Sequence, residues 1–276
     1  MAQEYEKKEL RQHIYDTPDT YAGGSDIISE VLPVFIGDSI VSKEIQYIPV
    51  LYNMFNEILV NARDHFVRLK SNKSEHQVST IKVDYNPENG ELSIYNNGEG
   101  ISVDIHPTEK VYNPELVFGH LLTSTNYDKN EEKIVGGKNG YGAKLTNIFS
   151  KEFIVEAVDS KTKLKFKQKY QNNMSKINKP IIKESDKDPY TKIIFTPDLK
   201  RFKLDKLTDD ILDLFEKRVY DMCAWTDSNI SIYFNKKQIK WKNFEKYVEL
   251  YLEDKPKVYE KLNDRWEICV STSNDN

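Results

Sequence analysis

Apolar residues recur at helical spacing through residues 46–69, QYIPVLYNMFNEILVNARDHFVRL. Ile48, Leu51, Phe55, Ile58, Leu59, Ala62 and Phe66 share one stripe, which predicts a long helix. The period then changes. STIKVDY and ELSIYN alternate and are joined by NPENG, which predicts two strands and a turn. Further on, a short helix is expected at 113–122 (NPELVFGHLL) and another opening near Tyr141. Strands are expected near 152–158, 162–170 and 191–196, and an amphipathic helix at 206–224. Alternation at 229–235 with a turn at Lys236–Lys237 predicts a hairpin, followed by a helix at 242–253 and a last strand from Arg265. Residues 1–26 read as a polar arm with a turn at DTPDTYAGGSD. Helices and mostly antiparallel strands arranged in blocks predict an α+β protein.

Composition narrows this little. The 276 residues are 38% hydrophobic and 30% charged, enough for one large domain or two modest ones with a buried core. A net charge of −4 gives no electrostatic reason to expect nucleic acid bound by this segment itself. Cys223 and Cys269 form no disulfide framework or metal spacing, so a reducing compartment is expected. The opening MAQEYEKKEL has no apolar run, so no secretory signal is expected, and no apolar stretch approaches the length of a membrane span.

Candidate chemistry lies in three places. On the long helix, Asn53, Glu57, Asn61, Asp64 and Arg68 form a second, polar stripe. It reads as a solvated face, or as the wall of a cleft bordered by Val50, Met54 and Val60. In the cleft reading Glu57 orients a water and Asn61 offers an oxygen to a hard cation such as Mg²⁺. The strand ELSIYN ends in NNGEG. That is either a turn or a place where Asn96 meets a base edge while Gly98 and Gly100 let a flat ring approach. Third, KIVGGKNGYGAKLTNIFS crowds Gly136, Gly137, Gly140 and Gly142 before a helix. The phosphate-binding pattern G-x-x-x-x-G-K-[ST] fails, because Gly142 is followed by Ala143-Lys144-Leu145, and GYGAKL lacks the third glycine of the dinucleotide fingerprint. What remains is a flexible surface loop or an anion-binding helix start to which Lys138 and Lys144 add charge.

Together, NEILVNARDH, YNNGEGI and GGKNGYGAKLTNIFS, in this order, resemble the three nucleotide-binding boxes of the GHKL ATPases, which share the Bergerat fold. YEKKELRQHIYDTPDTYAGG, YNPELVFGHLLTSTNYD, VYDMCAW and RWEIC narrow the resemblance to the ATPase region of eukaryotic-type type IIA DNA topoisomerases, over about residues 5–270. It implies a mixed, mostly antiparallel sheet with helices on one face. It also implies an arm at 1–26, a GHKL ATPase domain at 27–255 and the beginning of a transducer domain at 256–276.

The implied ligands are ATP and Mg²⁺. Glu57 matches the general base, Asn61 the metal ligand and Asn96 the reader of the adenine amino group. Ser124, Thr125 and Asn126 match a segment touching ribose and phosphates. Gly137, Lys138, Asn139, Gly140, Tyr141, Gly142, Ala143 and Lys144 match the lid over the phosphates. Thr191 matches a buried hydroxyl near the adenine, and Tyr5 an arm residue reaching the partner subunit's nucleotide. The resemblance further implies a homodimer on ATP binding, contact with DNA through the full-length enzyme rather than strongly through this segment, no membrane, and a nuclear or otherwise intracellular place at DNA. Three positions depart from the family pattern. Arg63 and His65 stand where Ala and Asn are usual, which leaves contacts near His65 open, and Thr17 stands where Arg is common. The family's transducer carries a Lys that reaches the γ-phosphate, and it is expected to lie beyond Asn276. The chain alone is therefore expected to be a poor, mostly monomeric ATPase. The alternative reading is a nucleotide-binding module with little hydrolysis.

Overall fold

A computed structural model describes residues 8–121, 140–240, 243–252, 255–263 and 266–272. In chain order its elements are α1 (Leu10–Asp16), α2 (Pro18–Tyr21), β1 (Ile28–Ile36), β2 (Ser39–Tyr47), α3 (Pro49–Ser71), β3 (Thr80–Asn86), β4 (Glu91–Asn97), α4 (Asn113–Gly119) and α5 (Gly142–Ile148). There follow β5 (Ser150–Val158), β6 (Leu164–Gln171), β7 (Lys176–Ile177), β8 (Ile181–Glu184), β9 (Tyr190–Pro197), α6 (Asp209–Ala224), β10 (Ser231–Phe234), β11 (Lys237–Gln238), α7 (Phe244–Leu252), β12 (Lys257–Lys261) and β13 (Glu267–Ser271).

Nine strands form one sheet in the order β11-β10-β3-β4-β9-β5-β6-β7, with β8 also paired to β6. Every pair is antiparallel except β10 on β3. Side chains alternate between faces along a strand. One face is therefore apolar and buried: Ile81 and Val83, Leu92 and Ile94, Ile193 and Phe195, Phe153 and Val155, Phe166 and Tyr170. Helices cover it. α3 starts at Pro49, where the missing N–H would have had no intrahelical partner. Its stripe packs against the sheet and against α6, with the Phe55 and Phe215 rings stacked at 4.1 Å. α6 begins at Thr208, whose hydroxyl accepts from the Ile211 N–H, with Asp209 and Asp210 in the first turn where the helix dipole favours negative charge. The fold class is the expected α+β, mostly antiparallel, with helices on one face.

Several local differences have physical causes. Residues 28–47 form a hairpin, β1–β2, that lies off the main sheet and is anchored by Phe35 stacking on Tyr220 at 4.1 Å. Within the arm, α1 and α2 are helical and docked. Ile14 is fully buried, and the Arg201 guanidinium lies 4.0 Å from the centre of the Tyr15 ring. The β10–β11 turn falls on Asn235 and Lys236, one residue earlier than expected, because both take the positive φ (44° and 68°) that a two-residue hairpin loop requires. β12 and β13 pair only with each other among the described residues. No helix among the described residues is long and apolar enough to cross a membrane.

Candidate functional site

Glu57 sits in the middle of α3 and faces the first residue of α5. A Cβ added to Gly142 would fall 1.8 Å from Glu57 Oε2, so the absence of a side chain there is what admits the carboxylate. α5 is fixed one turn away. The Thr146 hydroxyl donates to the Met54 carbonyl at 3.1 Å. Burial, and secondarily the Asp64 carboxylate, push the Glu57 pKa up. Ala143 and Lys144, also in α5, are buried, and Tyr141 caps it. Lys144 Nζ donates to the Gly140 carbonyl at 2.7 Å, and burial lowers its pKa to about 8. Asn61, one turn beyond Glu57, is exposed. A single amide oxygen with open space around it suits a cation that keeps waters and phosphates as its other ligands.

The second end of the site is on the sheet. One row of inward positions reads Ile81, Asn96, Thr191, Ala157, Phe166 across neighbouring strands. Two polar side chains and a small one thus interrupt a largely apolar face, on which Gln168 of β6 is also buried. Asn96 is 4% exposed, and its Nδ2 donates to His65 Nδ1 and to the Asn97 carbonyl, each at 2.8 Å. The Thr191 hydroxyl is buried with no hydrogen-bond partner among the described residues. His65 lies on α3 eight residues beyond Glu57, so the two are about 12 Å apart along the helix axis. One rigid helix therefore spans both ends. Burial and the Arg68 cation hold the His65 pKa down at about 4.

Some expectations change. Gly98 and Gly100 do not clear space for a flat ring. Both have positive φ, and the space a Cβ would take is filled by protein: Leu69 and Val78 beside Gly98, the Val158 carbonyl at 2.0 Å beside Gly100. They serve close packing of the loop against β5 and α3. Asn53 leaves the polar stripe to donate to the Ala22 carbonyl at 2.7 Å, and Val50 and Met54 are core residues. Arg63 reaches away, to the Trp225 carbonyl. Ser124, Thr125, Asn126, Gly137, Lys138, Asn139 and Tyr5 lie outside the described residues. Sequence reasoning missed His65 as the partner of Asn96, a contact across 31 positions that no periodicity reveals.

A separate cleft of about 570 Å³ lies beside Asn97 and is lined by His76, Lys163, Asp186, Lys187 and Asp188. Acidic and basic groups are mixed in it, so no net field favours a polyanion. Asn97 also points to the opposite face of β4 from Asn96. No group of acidic, His or Cys side chains among the described residues is placed to hold a metal alone.

Residues 47–201 match the model of the histidine kinase-, DNA gyrase B-, and HSP90-like ATPases. DNA topoisomerase 2 of Arabidopsis thaliana is 44% identical over 98% of the chain, which spans 18% of that protein's length. The crystal structure of the ATPase region of Saccharomyces cerevisiae topoisomerase II superposes with a TM-score of 0.92 at 42% identity, covering 98% of the chain and 71% of its own. The ATPase and transducer domains of DNA topoisomerase II from Balamuthia mandrillaris give 0.90 at 42% identity, with 98% and 69% covered.

Proposed function

Because the chain belongs to the histidine kinase-, DNA gyrase B- and HSP90-like ATPases, and among them to the ATPase regions of type II DNA topoisomerases, we propose that it binds ATP with Mg²⁺ between β4 and α5 and hydrolyses it at Glu57. The observation that carries this is the polar pair Asn96–Thr191 on a largely apolar sheet face, with Asn96 bonded to His65 on the same helix that sets Glu57 against Gly142. Asn96 Oδ1 accepts from the adenine amino group, the Thr191 hydroxyl bonds the base edge, and Ala157 leaves room for the ring. Glu57, with its raised pKa, takes a proton from the attacking water. Asn61 Oδ1 would hold Mg²⁺, which when bound neutralises phosphate charge. Gly140, Tyr141, Gly142, Ala143 and Lys144 close over the phosphates, and Ser124, Thr125, Asn126, Gly137, Lys138, Asn139 and Tyr5 are assigned to ribose, phosphates and the partner's nucleotide by resemblance to the family. As part of a protein of the length of these relatives, it would draw two copies together on binding ATP and couple hydrolysis to passage of a DNA duplex. The hairpin β12–β13 is read as the beginning of the transducer.

Titration calorimetry with a non-hydrolysable ATP analogue tests the binding step. The chain is expected to show one Mg²⁺-dependent site, and Asn96→Ala to weaken it by about 1–3 kcal/mol, since the amino group is left without its buried partner. Absence of heat at millimolar analogue with Mg²⁺ contradicts the proposal. The same instrument reads Lys144. A bound triphosphate raises the pKa of a nearby ammonium from its depressed value of about 8. At a pH above that value, binding is therefore expected to take up protons, seen as an enthalpy that varies with the ionisation heat of the buffer. Lys144→Met should abolish the variation; an equal variation in both proteins contradicts it.

A further inference from the structure

The Asn96 amide is committed at one end. Its nitrogen has two hydrogens, and both are used, one by His65 Nδ1 and one by the Asn97 carbonyl. No described residue hydrogen-bonds Oδ1. Of the two groups facing the nitrogen, the Asn97 carbonyl can only accept, and His65 Nδ1 accepts when the ring is neutral with its proton on Nε2. Turning the amide over would set its oxygen against the Asn97 carbonyl, which cannot change role, and against the lone pair of His65 Nδ1.

Resting on the ATP site described above, we propose that His65 is the positioning residue that fixes base specificity. It pins Asn96 so that the site offers an oxygen acceptor, selecting a purine with an exocyclic amino group over one with a carbonyl at the same place. The imidazole performs this because its Nδ1 is an acceptor when the ring is neutral with its proton on Nε2. Its surroundings keep it so: it is 7% exposed, and the nearby cation is Arg68, set against the carboxylate of Glu99. A side chain at position 65 able to donate as readily as accept leaves the amide free to present either end. The chemistry is asymmetric. With Oδ1 presented, adenine gains a hydrogen bond, whereas guanine sets its own carbonyl oxygen against an acceptor and leaves both unpaired, a strong basis for rejection.

The test uses the 276-residue chain and non-hydrolysable analogues of ATP and GTP. Affinities for both are measured calorimetrically in the unsubstituted protein, His65→Ala, His65→Asn and His65→Gln. The imidazole of the unsubstituted protein is observed by ¹⁵N NMR. The expected result is an unprotonated Nδ1 and a clear preference for ATP. Alanine, asparagine and glutamine should each lower that preference about 10-fold, the net worth of one hydrogen bond, because none of them offers an acceptor that cannot also donate. An unchanged preference in both His65→Ala and His65→Asn, or a proton on Nδ1, overturns the proposal. If His65→Ala fails to fold, the ring nitrogen spectrum and the asparagine variant decide. A protein that binds neither nucleotide overturns the ATP site itself, and a protein that binds ATP without discrimination overturns only the role of His65.

Discussion

Glu57→Gln is expected to keep its affinity for ATP and to lose hydrolysis by about 10²–10⁴-fold, the usual contribution of a positioned general base. The carboxylate is partly buried on α3, and both burial and Asp64 disfavour its charge, so its pKa is raised. A raised pKa makes a carboxylate a stronger base. Two further readouts follow. Hydrolysis should rise with pH along a limb lying above the ordinary carboxylate range, then level off. Stability should move the other way. A group whose folded pKa is raised binds protons more tightly when folded, so its contribution is present at low pH and is lost as pH climbs through the folded value. Removing the charge in Glu57→Gln should therefore raise the melting temperature at pH values above the folded pKa. Single-turnover hydrolysis by this chain checks the rate. A variant as fast as the unsubstituted enzyme would reduce Glu57 to one member of a solvated stripe.

The second large effect is expected at a residue with no functional group. Gly142→Ala places a methyl 1.8 Å from Glu57 Oε2 and 2.5 Å from Glu57 Cδ. The backbone does not resist the change, since Gly142 is the first residue of α5 and alanine is the better helix former. The conflict is relieved by moving the far end of a flexible side chain, which costs little stability. It costs position, however, and a displacement of about 1 Å at a reacting group can cost about 10²-fold in rate. Gly142→Ala should thus fold normally, melt near the unsubstituted protein and hydrolyse about 10²-fold more slowly. Hydrolysis at the original rate would mean that the carboxylate does not act from where it lies.

The parts of the fold that were legible in the sequence are those that repeat. The stripe from Ile48 to Phe66 gave α3, and alternation gave the inward rows of β3 and β4, so the position of Asn96 on the face of Leu92 and Ile94 follows from counting residues, whereas Thr191 was reached through the family resemblance. The β1–β2 hairpin does not announce itself this way. Its outward positions include exposed Val31, Ile36 and Val41, which blur the alternation, and Pro33 argues against a strand inside a sheet. It is tolerated because each strand of a two-stranded ribbon has a free edge. α1 and α2 have seven and four residues, too few to show a period, and are held by Ile14, Tyr15 and Arg201. On α3 the place of Glu57 in a polar stripe was legible, while its role was implied only by the family resemblance; the reason for Gly142 was not legible, because the glycine answers to a side chain on another element. Gly98 and Gly100 were legible as glycines with a purpose, yet that purpose is contact with Leu69, Val78 and Val158.

The crystal structure of this chain with a non-hydrolysable ATP analogue and Mg²⁺ is the most direct measurement of the ATP site. The adenine amino group should lie within hydrogen-bonding reach of Asn96 Oδ1, with the ring over Ala157 and the terminal phosphate beside Glu57 and Gly142. An analogue seated instead in the polar cleft by His76 and Lys187, or with its phosphates directed away from α5, would contradict the assignment of both ends of the site.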